Sequence, residues 1–384
     1  MPSSSDAPPV SNSRFPFHML EEIYQQPEAI RKTIEQHVDS ATNCVRLDHS
    51  SFAAAEWGAL HSVSIVASGS SRHAGLCGKL MIEELAGVPV DVEHASEYGC
   101  RKPLNGGGSL VIAITQSGET ADTTAAQRLA KENGKKTLSI SNVVDSTISR
   151  EADANFFTCA GKEIAIPATK SFTTQLTAMY MLALFLARHK SVLSPAQTAS
   201  RLASLAQLPS ILPGLIERFD PQAKSIAQSF YYDEVFIYLG RGVHYPIALE
   251  GALKLKEISY VHAEGYPTGE LRHGPTALLD ETLPVVAIMT RDPNDRESML
   301  RYEKSRSLLD EIREHSERQI LVASEGDQEI QALGVPCFVL PNLDELLLPI
   351  LEVVPLQLLA YHIAVRKGFN PDHPRNLVKA VTVD

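Results

Sequence analysis

The stretch ITQSGET, residues 114–120, follows the apolar run SLVIA and opens into ADTTAAQRLAKENG. A β-prone apolar run, a glycine-bearing turn and an alanine-rich segment in that order make one strand–turn–helix unit. The turn is over-supplied for that task. A plain turn needs glycine or asparagine for its backbone angles, and a plain helix cap needs one hydroxyl or carboxylate. Here Thr115, Ser117 and Thr120 bring three hydroxyls, Gln116 an amide and Gly118 the flexible position.

Working outward, the same unit recurs. Upstream stand the strand VSIVA, the turn SGSSRHAG, a helix to Ala86 and the strand VDVEHA; downstream stands KTLSIS. The second half repeats the pattern with EVFIYL, GRG, YPIALEGALKLKEIS, VHAEGY, PVVAIMT, a charged helix, QILVAS, VPCFVLP and LPILEVVPLQLLAYHIAVRKG. Alternation at this spacing predicts an α/β fold of two similar domains, each a doubly wound, mainly parallel sheet flanked by helices. The expected layout is a disordered tail over 1–16, a helical arm over 17–60 and a first domain over 61–195. A helical connector broken by prolines follows over 196–228, then a second domain over 229–368 and a closing tail over 369–384.

The chain has 384 residues, 46 acidic against 35 basic, and a formal charge of -11. That balance argues against a general attraction to nucleic acid or an anionic membrane. No apolar run is expected to reach the roughly 20 residues of a membrane-spanning helix; AMYMLALFLA, 178–187, is about half that length. The five cysteines are scattered without a CxxC pair, so neither a disulfide framework nor a zinc site is indicated. The opening MPSSSDAPPVSNS has no secretion-signal pattern. A reducing cytoplasm is the expected location.

In an open parallel sheet, ligands bind beyond the carboxyl ends of the strands. The first half carries hydroxyls at both such turns, and the second half has GRG and TRDPN in the matching places. Ser70, Ser71, Thr115, Ser117 and Thr120, with the Gln116 amide and helix N-terminal N–H groups, form a candidate cradle for a phosphate monoester. Simple helix capping by Thr120 or Ser117 is the competing use of the TQSGET turn. No GxxxxGK[ST] or GxGxxG sequence is present, so nucleoside triphosphates and dinucleotides are not indicated.

In the second half, Glu250, Lys254 and Glu257 share one helix face. That spacing alone is the pattern of a solvated ion-pair stripe. The helix nevertheless begins at a strand-end turn facing the expected crevice. Farther on, GYPTGELRHGPTALL puts Glu270, Arg272 and His273 in a loop punctuated by glycine and proline, a setting that more often carries function.

Together SGSSRHAG, TQSGETADTTAAQRLAKENG, TKSFTTQLT, LGRGVHYPIALEGALKLKEISYVHAEGYPTGELRHGP, VPLQLLAYHIAVRKG and PRNLVKAVTVD closely resemble the isomerase half of glucosamine-6-phosphate synthase (glutamine:fructose-6-phosphate aminotransferase), a tandem of two sugar isomerase (SIS) domains. The resemblance covers roughly residues 17–384, and the family's glutaminase domain is expected to be lacking. It implies a phosphate cradle at Ser71, Thr115, Gln116, Ser117 and Thr120, with Gly69 and Ser70 shaping the first turn. It implies that Glu257 moves a proton between C1 and C2, with Lys254 beside it. His273 matches a ring-opening histidine that reaches across from a neighbouring subunit, so a homodimer is implied. Lys379 matches a tail lysine that meets the open-chain carbonyl as a Schiff base. Ala168 and Thr169 fall beside the sugar. Thr115 and Ala168 stand where the family has serines; Thr115 keeps the hydroxyl and Ala168 loses it.

The chemistry suits those residue types. A carboxylate tuned by burial and a neighbouring lysine can return one proton to the adjacent carbon through an enediol or enolamine. A histidine can shuttle a proton near neutral pH, and an amine can polarise a carbonyl as an iminium. Neither metal nor redox cofactor is called for. Without a glutaminase to supply ammonia, the expected direction is from glucosamine 6-phosphate to fructose 6-phosphate and ammonia. Synthase-type isomerisation with a separate ammonia source is the alternative. A non-catalytic sugar-phosphate sensor is the alternative of another class, which would keep the cradle without needing Glu257, Lys254, His273 and Lys379 together.

Overall fold

The structure is a computed structural model, and it describes residues 14–39, 41–100 and 108–381. Most of the tail expected over 1–16 lies outside the described residues. A two-stranded antiparallel ribbon, β1 (Val38–Asp39) and β2 (Cys44–Val45), closes the N-terminal arm. The first large sheet comprises β3 (His49–Ser50), β4 (Ser62–Ala67), β5 (Val90–His94), β6 (Ser109–Ile114), β7 (Lys136–Ser141) and β8 (Ala154–Phe157), in the order β3-β8-β7-β6-β4-β5. Only β3, on the edge, runs antiparallel. The second sheet comprises β9 (Val235–Gly240), β10 (His262–Pro267), β11 (Val285–Met289), β12 (Gln319–Ser324) and β13 (Cys337–Leu340), ordered β10-β9-β11-β12-β13 and wholly parallel. Its central strands β11 and β12 are buried along their whole length, as expected of strands covered on both faces.

In each sheet the chain order reverses beside a central strand. β4 lies between β5 and β6, and β9 lies between β10 and β11, so the loops after these strands diverge and leave a crevice. The helix after β4, Gly69–Ala86, packs on Lys170–His189. The helix after β9, Tyr245–Ser259, packs on Leu348–Arg366, which in turn packs on Leu208–Phe230. The Gly69 and Tyr245 helices also touch each other, which brings the crevice of the first domain against a side face of a helix of the second.

Three expectations need correction. The connector is not broken at each proline: Pro213 and Pro221 lie inside one continuous helix, Leu208–Phe230. Each internal proline costs about 3 kcal/mol in an isolated helix. Burial of Leu212, Leu215, Ile216, Phe219, Ile226 and Phe230 on the same helix offsets that at about 1.5–3 kcal/mol per large side chain. Second, one helix does have the length and apolar composition to cross a membrane, Leu348–Arg366, but 94% of it is buried inside the molecule. It is the core helix of the second domain. The segment 50–60 also yields less helix than its alanines suggest: Ser50 is in β3, and the helix is only Ala54–Gly58.

The N- and C-terminal segments are tied together. Both carboxylate oxygens of Asp372 accept backbone N–H bonds at the start of the arm helix His18–Tyr24, from His18 and Met19, each at 2.8 Å. The Asp372 carbonyl accepts from Ile166 N at 2.9 Å. A carboxylate at a helix N-terminus satisfies orphan donors and complements the helix dipole.

Candidate active site

A cleft of about 280 Å³ opens where the two sequence-marked turns of the first domain meet the Tyr245–Ser259 helix and the C-terminal tail. Gly69, Ser70, Ser71, Thr115, Gln116, Ser117, Thr120, Ala168, Lys254, Glu257 and Lys379 all line it. Two of the expected residues do not. Thr169 sits behind the wall, fully buried, with its N–H on Glu163 at 3.0 Å. His273 is exposed at the end of the short helix Thr268–His273, and within this protomer it does not line the cleft.

The phosphate side is built from two helix starts. Ser68, in extended conformation, precedes the Gly69–Ala86 helix, and Gly69 takes a left-handed φ of 54° that turns the chain into it. Thr120 precedes the Ala121–Glu132 helix but does not cap it. Its hydroxyl instead lies 2.8 Å from the Thr115 hydroxyl, across the mouth of the turn. The capping alternative is therefore overturned for Thr120. Ser117 Oγ accepts the Glu119 N–H at 3.1 Å, a local turn bond within the loop. The loop is pinned from behind, since the Gln116 and Gly118 carbonyls accept N–H bonds from Asn142 and Ile148, each at 3.1 Å. Gly118 has a φ of 73°, and a Cβ there would lie 2.0 Å from Ser146 Oγ, so only glycine fits. The outcome is a bay of hydroxyls at two helix starts, the ends at which a helix lacks intrahelical partners for its first N–H groups.

Opposite the bay lies the charged face of Tyr245–Ser259. It is not a solvated stripe: Glu250 and Lys254 are fully buried, and the Glu257 side chain is 21% exposed. The spacing is that of a surface ion-pair row, but this face is covered by the first domain. Lys254 Nζ donates to Glu257 Oε2 at 2.6 Å and to Ser70 Oγ at 3.2 Å, and lies 3.4 Å from Glu250 Oε1. Ser70 Oγ donates to Glu250 Oε1 at 2.8 Å, and His73 Nδ1 lies 2.8 Å from Glu250 Oε2. The Ser70 hydroxyl thus serves the charged network of the second domain, and its contribution to the bay is its backbone.

One lysine between two carboxylates makes them unequal. Burial works against the charge of Glu250, yet Lys254, with help from His73 and Ser70, holds its carboxyl below the usual range. At Glu257 burial outweighs the attraction of Lys254, and the carboxyl is raised. Lys254 itself would be lowered by burial, but the two glutamates keep it raised and charged. Glu250 is therefore a fixed anion, whereas Glu257, at the cleft, is moved toward the range in which a carboxylate can both take and give a proton.

The tail forms the third wall. Leu377, Val378, Lys379, Ala380 and Val381 line the cleft. Lys379 Nζ donates to Glu163 Oε2 and to the Ala165 carbonyl, both at 2.6 Å, and Ala121 N donates to the Val381 carbonyl at 3.1 Å. The reading of the sequence had missed Glu163 and His73, both of which contact expected site residues. Their signals were present: a lone acid at the head of the strand-end loop EIAIPATK, and a histidine one turn into the helix after SGSS.

The family model for the SIS domain matches residues 60–185 and 233–367. The chain is 43% identical to the glutamine–fructose-6-phosphate aminotransferase [isomerizing] of Chlorobaculum tepidum, over 98% of this chain and 60% of that protein. The structure superposes on the C-terminal domain of glucosamine-fructose-6-phosphate aminotransferase from Francisella tularensis with a TM-score of 0.86 and 38% identity, covering 94% of this chain and 99% of that one. A glucosamine-6-phosphate deaminase from Thermotoga maritima shares the fold at a TM-score of 0.67 and 22% identity, covering 95% of this chain and 99% of that one. The chain spans about 60% of the length of the curated relatives it matches. With its two sheets, two matched segments and one composite cleft, the chain belongs to the SIS-domain family, as a tandem pair of the kind that forms the C-terminal isomerase part of glutamine–fructose-6-phosphate aminotransferases.

Proposed function

We propose that this chain is a sugar-phosphate isomerase of the aminotransferase type, converting fructose 6-phosphate and ammonia into glucosamine 6-phosphate. The observation that carries this reading is that a hydroxyl bay, the Glu257–Lys254 pair and the Lys379 amine open into one cleft. In this reading Ser71, Thr115, Gln116, Ser117 and Thr120 hold the phosphate, and the Thr115–Thr120 hydroxyl pair parts to bond its oxygens. Lys379 meets the C2 carbonyl. Ammonia then displaces Lys379 from C2, the ketone oxygen having left as water, and Glu257 takes a proton from C1 and returns it at C2 while Lys254 keeps its charge beside the carboxylate. Ala168 leaves that wall of the cleft without a hydroxyl toward the sugar. His273, exposed here, opens the sugar ring in a partner protomer's cleft, so the working form is a homodimer.

The direction first expected from the sequence, deamination, gives way to synthesis. At 43% identity the compared relative is an aminotransferase, whereas the deaminase structure, at 22% identity, speaks for the fold alone. The same proton path runs in either direction, so deamination is the reverse of the proposed reaction. The test is formation of glucosamine 6-phosphate from fructose 6-phosphate and ammonium by the purified chain. Turnover that is lost in Glu257→Gln while fructose 6-phosphate still binds supports the reading. Tight binding without turnover in either direction by the wild type would refute it in favour of a sensor.

A further inference from the structure

Glu163 stands on no recognised motif, yet it is the most enclosed acid in the cleft wall. Its side chain is fully buried, and both oxygens are fixed. Oε1 accepts from the N–H groups of Thr169 at 3.0 Å and Ser171 at 3.1 Å, and Oε2 accepts from Ser171 Oγ at 2.7 Å and Lys379 Nζ at 2.6 Å. The loop that carries it is anchored from both termini of the chain: Ile164 N donates to Glu22 on the arm, and Ile166 N to the Asp372 carbonyl. A buried carboxylate held this firmly, with one oxygen on the only tail amine that faces the cleft, has more fixing than a tail tether needs.

We propose that Glu163 is the counter-ion of Lys379 throughout the reaction, holding Nζ at the cleft as an ammonium and staying paired with it as an iminium. The inference rests on the isomerase reading above. Its chemistry balances. Nζ passes one proton to the carbonyl oxygen and its freed lone pair adds to C2 to form the C–N bond, and loss of that oxygen completes the conversion of an ammonium and a ketone into an iminium and one water. Two of the three Nζ protons leave with that oxygen, and one positive charge remains on nitrogen. A fixed anion therefore keeps the same partner charge before and after the step. It also favours the protonated iminium over the neutral imine, and the protonated form is the one that ammonia attacks at C2, forming the new C–N bond and expelling the Lys379 amine before Glu257 moves the C1 proton. The Lys379 ammonium and the donors from Thr169 and Ser171 offset the burial of Glu163 and hold its carboxyl below the usual range, so it stays ionised for this role. The charged groups interacting with Lys379 are Glu163, Glu22 on the arm helix and Lys170 at the start of the Lys170–His189 helix. Of the two acids, only Glu163 bonds Nζ directly.

The test is borohydride trapping on the full chain with fructose 6-phosphate between pH 6 and 9, with the adduct located by mass spectrometry, alongside kcat and KM. Wild type should trap sugar on Lys379. Removing the fixed anion at contact disfavours the positively charged iminium. Glu163→Gln should therefore trap roughly tenfold less or worse at pH 8, recover toward pH 6 and lose kcat more than KM. Glu163→Asp, which keeps the charge, should restore most of the adduct, which a purely structural role would not require. Trapping in E163Q equal to wild type with an unchanged pH profile overturns the role of Glu163 and leaves the isomerase reading standing. Absence of any Lys379 adduct in wild type overturns both.

Discussion

Replacing Lys254 by methionine removes the one cation between Glu250 and Glu257 and keeps most of the side-chain volume. The lysine lies 3.4 Å from one carboxylate and 2.6 Å from the other. At an effective dielectric constant of about 20, those separations correspond to roughly 5 and 6 kcal/mol of attraction. Desolvation of the lysine cancels much of this, and breaking a buried pair typically costs about 3–5 kcal/mol because an unpaired buried charge is left. The stranded carboxylates have an escape, which is protonation, and that makes the loss depend on pH. Urea unfolding should show Lys254→Met destabilised by about 3–5 kcal/mol at pH 8 and clearly less at pH 5. The double variant Lys254→Met/Glu250→Gln, which strands one charge fewer, should recover part of the loss at pH 8. A cost below about 1 kcal/mol, or the same cost at both pH values, would refute the claim that this face is a desolvated charge network.

Other consequences are equally direct. Gly118→Ala forces a left-handed residue with a Cβ against Ser146, which should cost about 2–4 kcal/mol and weaken fructose 6-phosphate binding by calorimetry; unchanged binding would mean the bay does not need this turn. Glu22 is buried on the arm helix, where burial and the nearby Glu163 push its carboxyl up to about 7. A folded-state value above the unfolded one gives stability that is full below about pH 4.5 and lost as pH rises through 7, about 3 kcal/mol in all. Glu22→Gln should remove that decline between pH 5 and 8 in urea unfolding, and a decline identical to wild type would contradict it. In the second domain His244 is buried between Glu352 at 2.7 Å and Glu345 at 3.1 Å; burial opposes its charge, but the two acids raise it to about 10. Its contribution, about 3–5 kcal/mol, should be complete below pH 6.5 and vanish as pH rises through 10, and His244→Gln should abolish that alkaline loss.

The His244 cluster also explains what could and could not be read in the sequence. Strand–turn–helix units came through because β-prone apolar runs, glycine turns and helical periodicity are local signals, as in LVIAI before TQSGET. The first-domain turns stood out by their excess of hydroxyls. Burial of a charged face did not, because spacing within one helix is the same whether the covering surface is water or another domain. Glu250 and Lys254 are anchored by Ser70 and His73, some 180 residues away in sequence. Glu163 went unread for the same reason: its partner, Lys379, lies 216 positions on. In the second domain the matching turn has Thr290 bonded to Glu352, and His244 bridges Glu352 and Glu345. The crevice there is occupied by the protein's own paired groups, a distinction that GRG and TRDPN hint at only by what they lack. The edge strand β3 and its neighbour β8 were missed because two and four residues carry too little pattern to register.

The account turns on Glu257 moving a proton at C1. The most direct measurement is proton NMR of fructose 6-phosphate in deuterium oxide with the purified chain, following exchange at C1, with binding measured alongside. The account predicts that wild type exchanges one of the two C1 protons and that Glu257→Gln does not, while its affinity for the sugar phosphate stays within about threefold, since the phosphate bay is intact and threefold is under 1 kcal/mol. Exchange that persists in Glu257→Gln at the wild-type rate would contradict it.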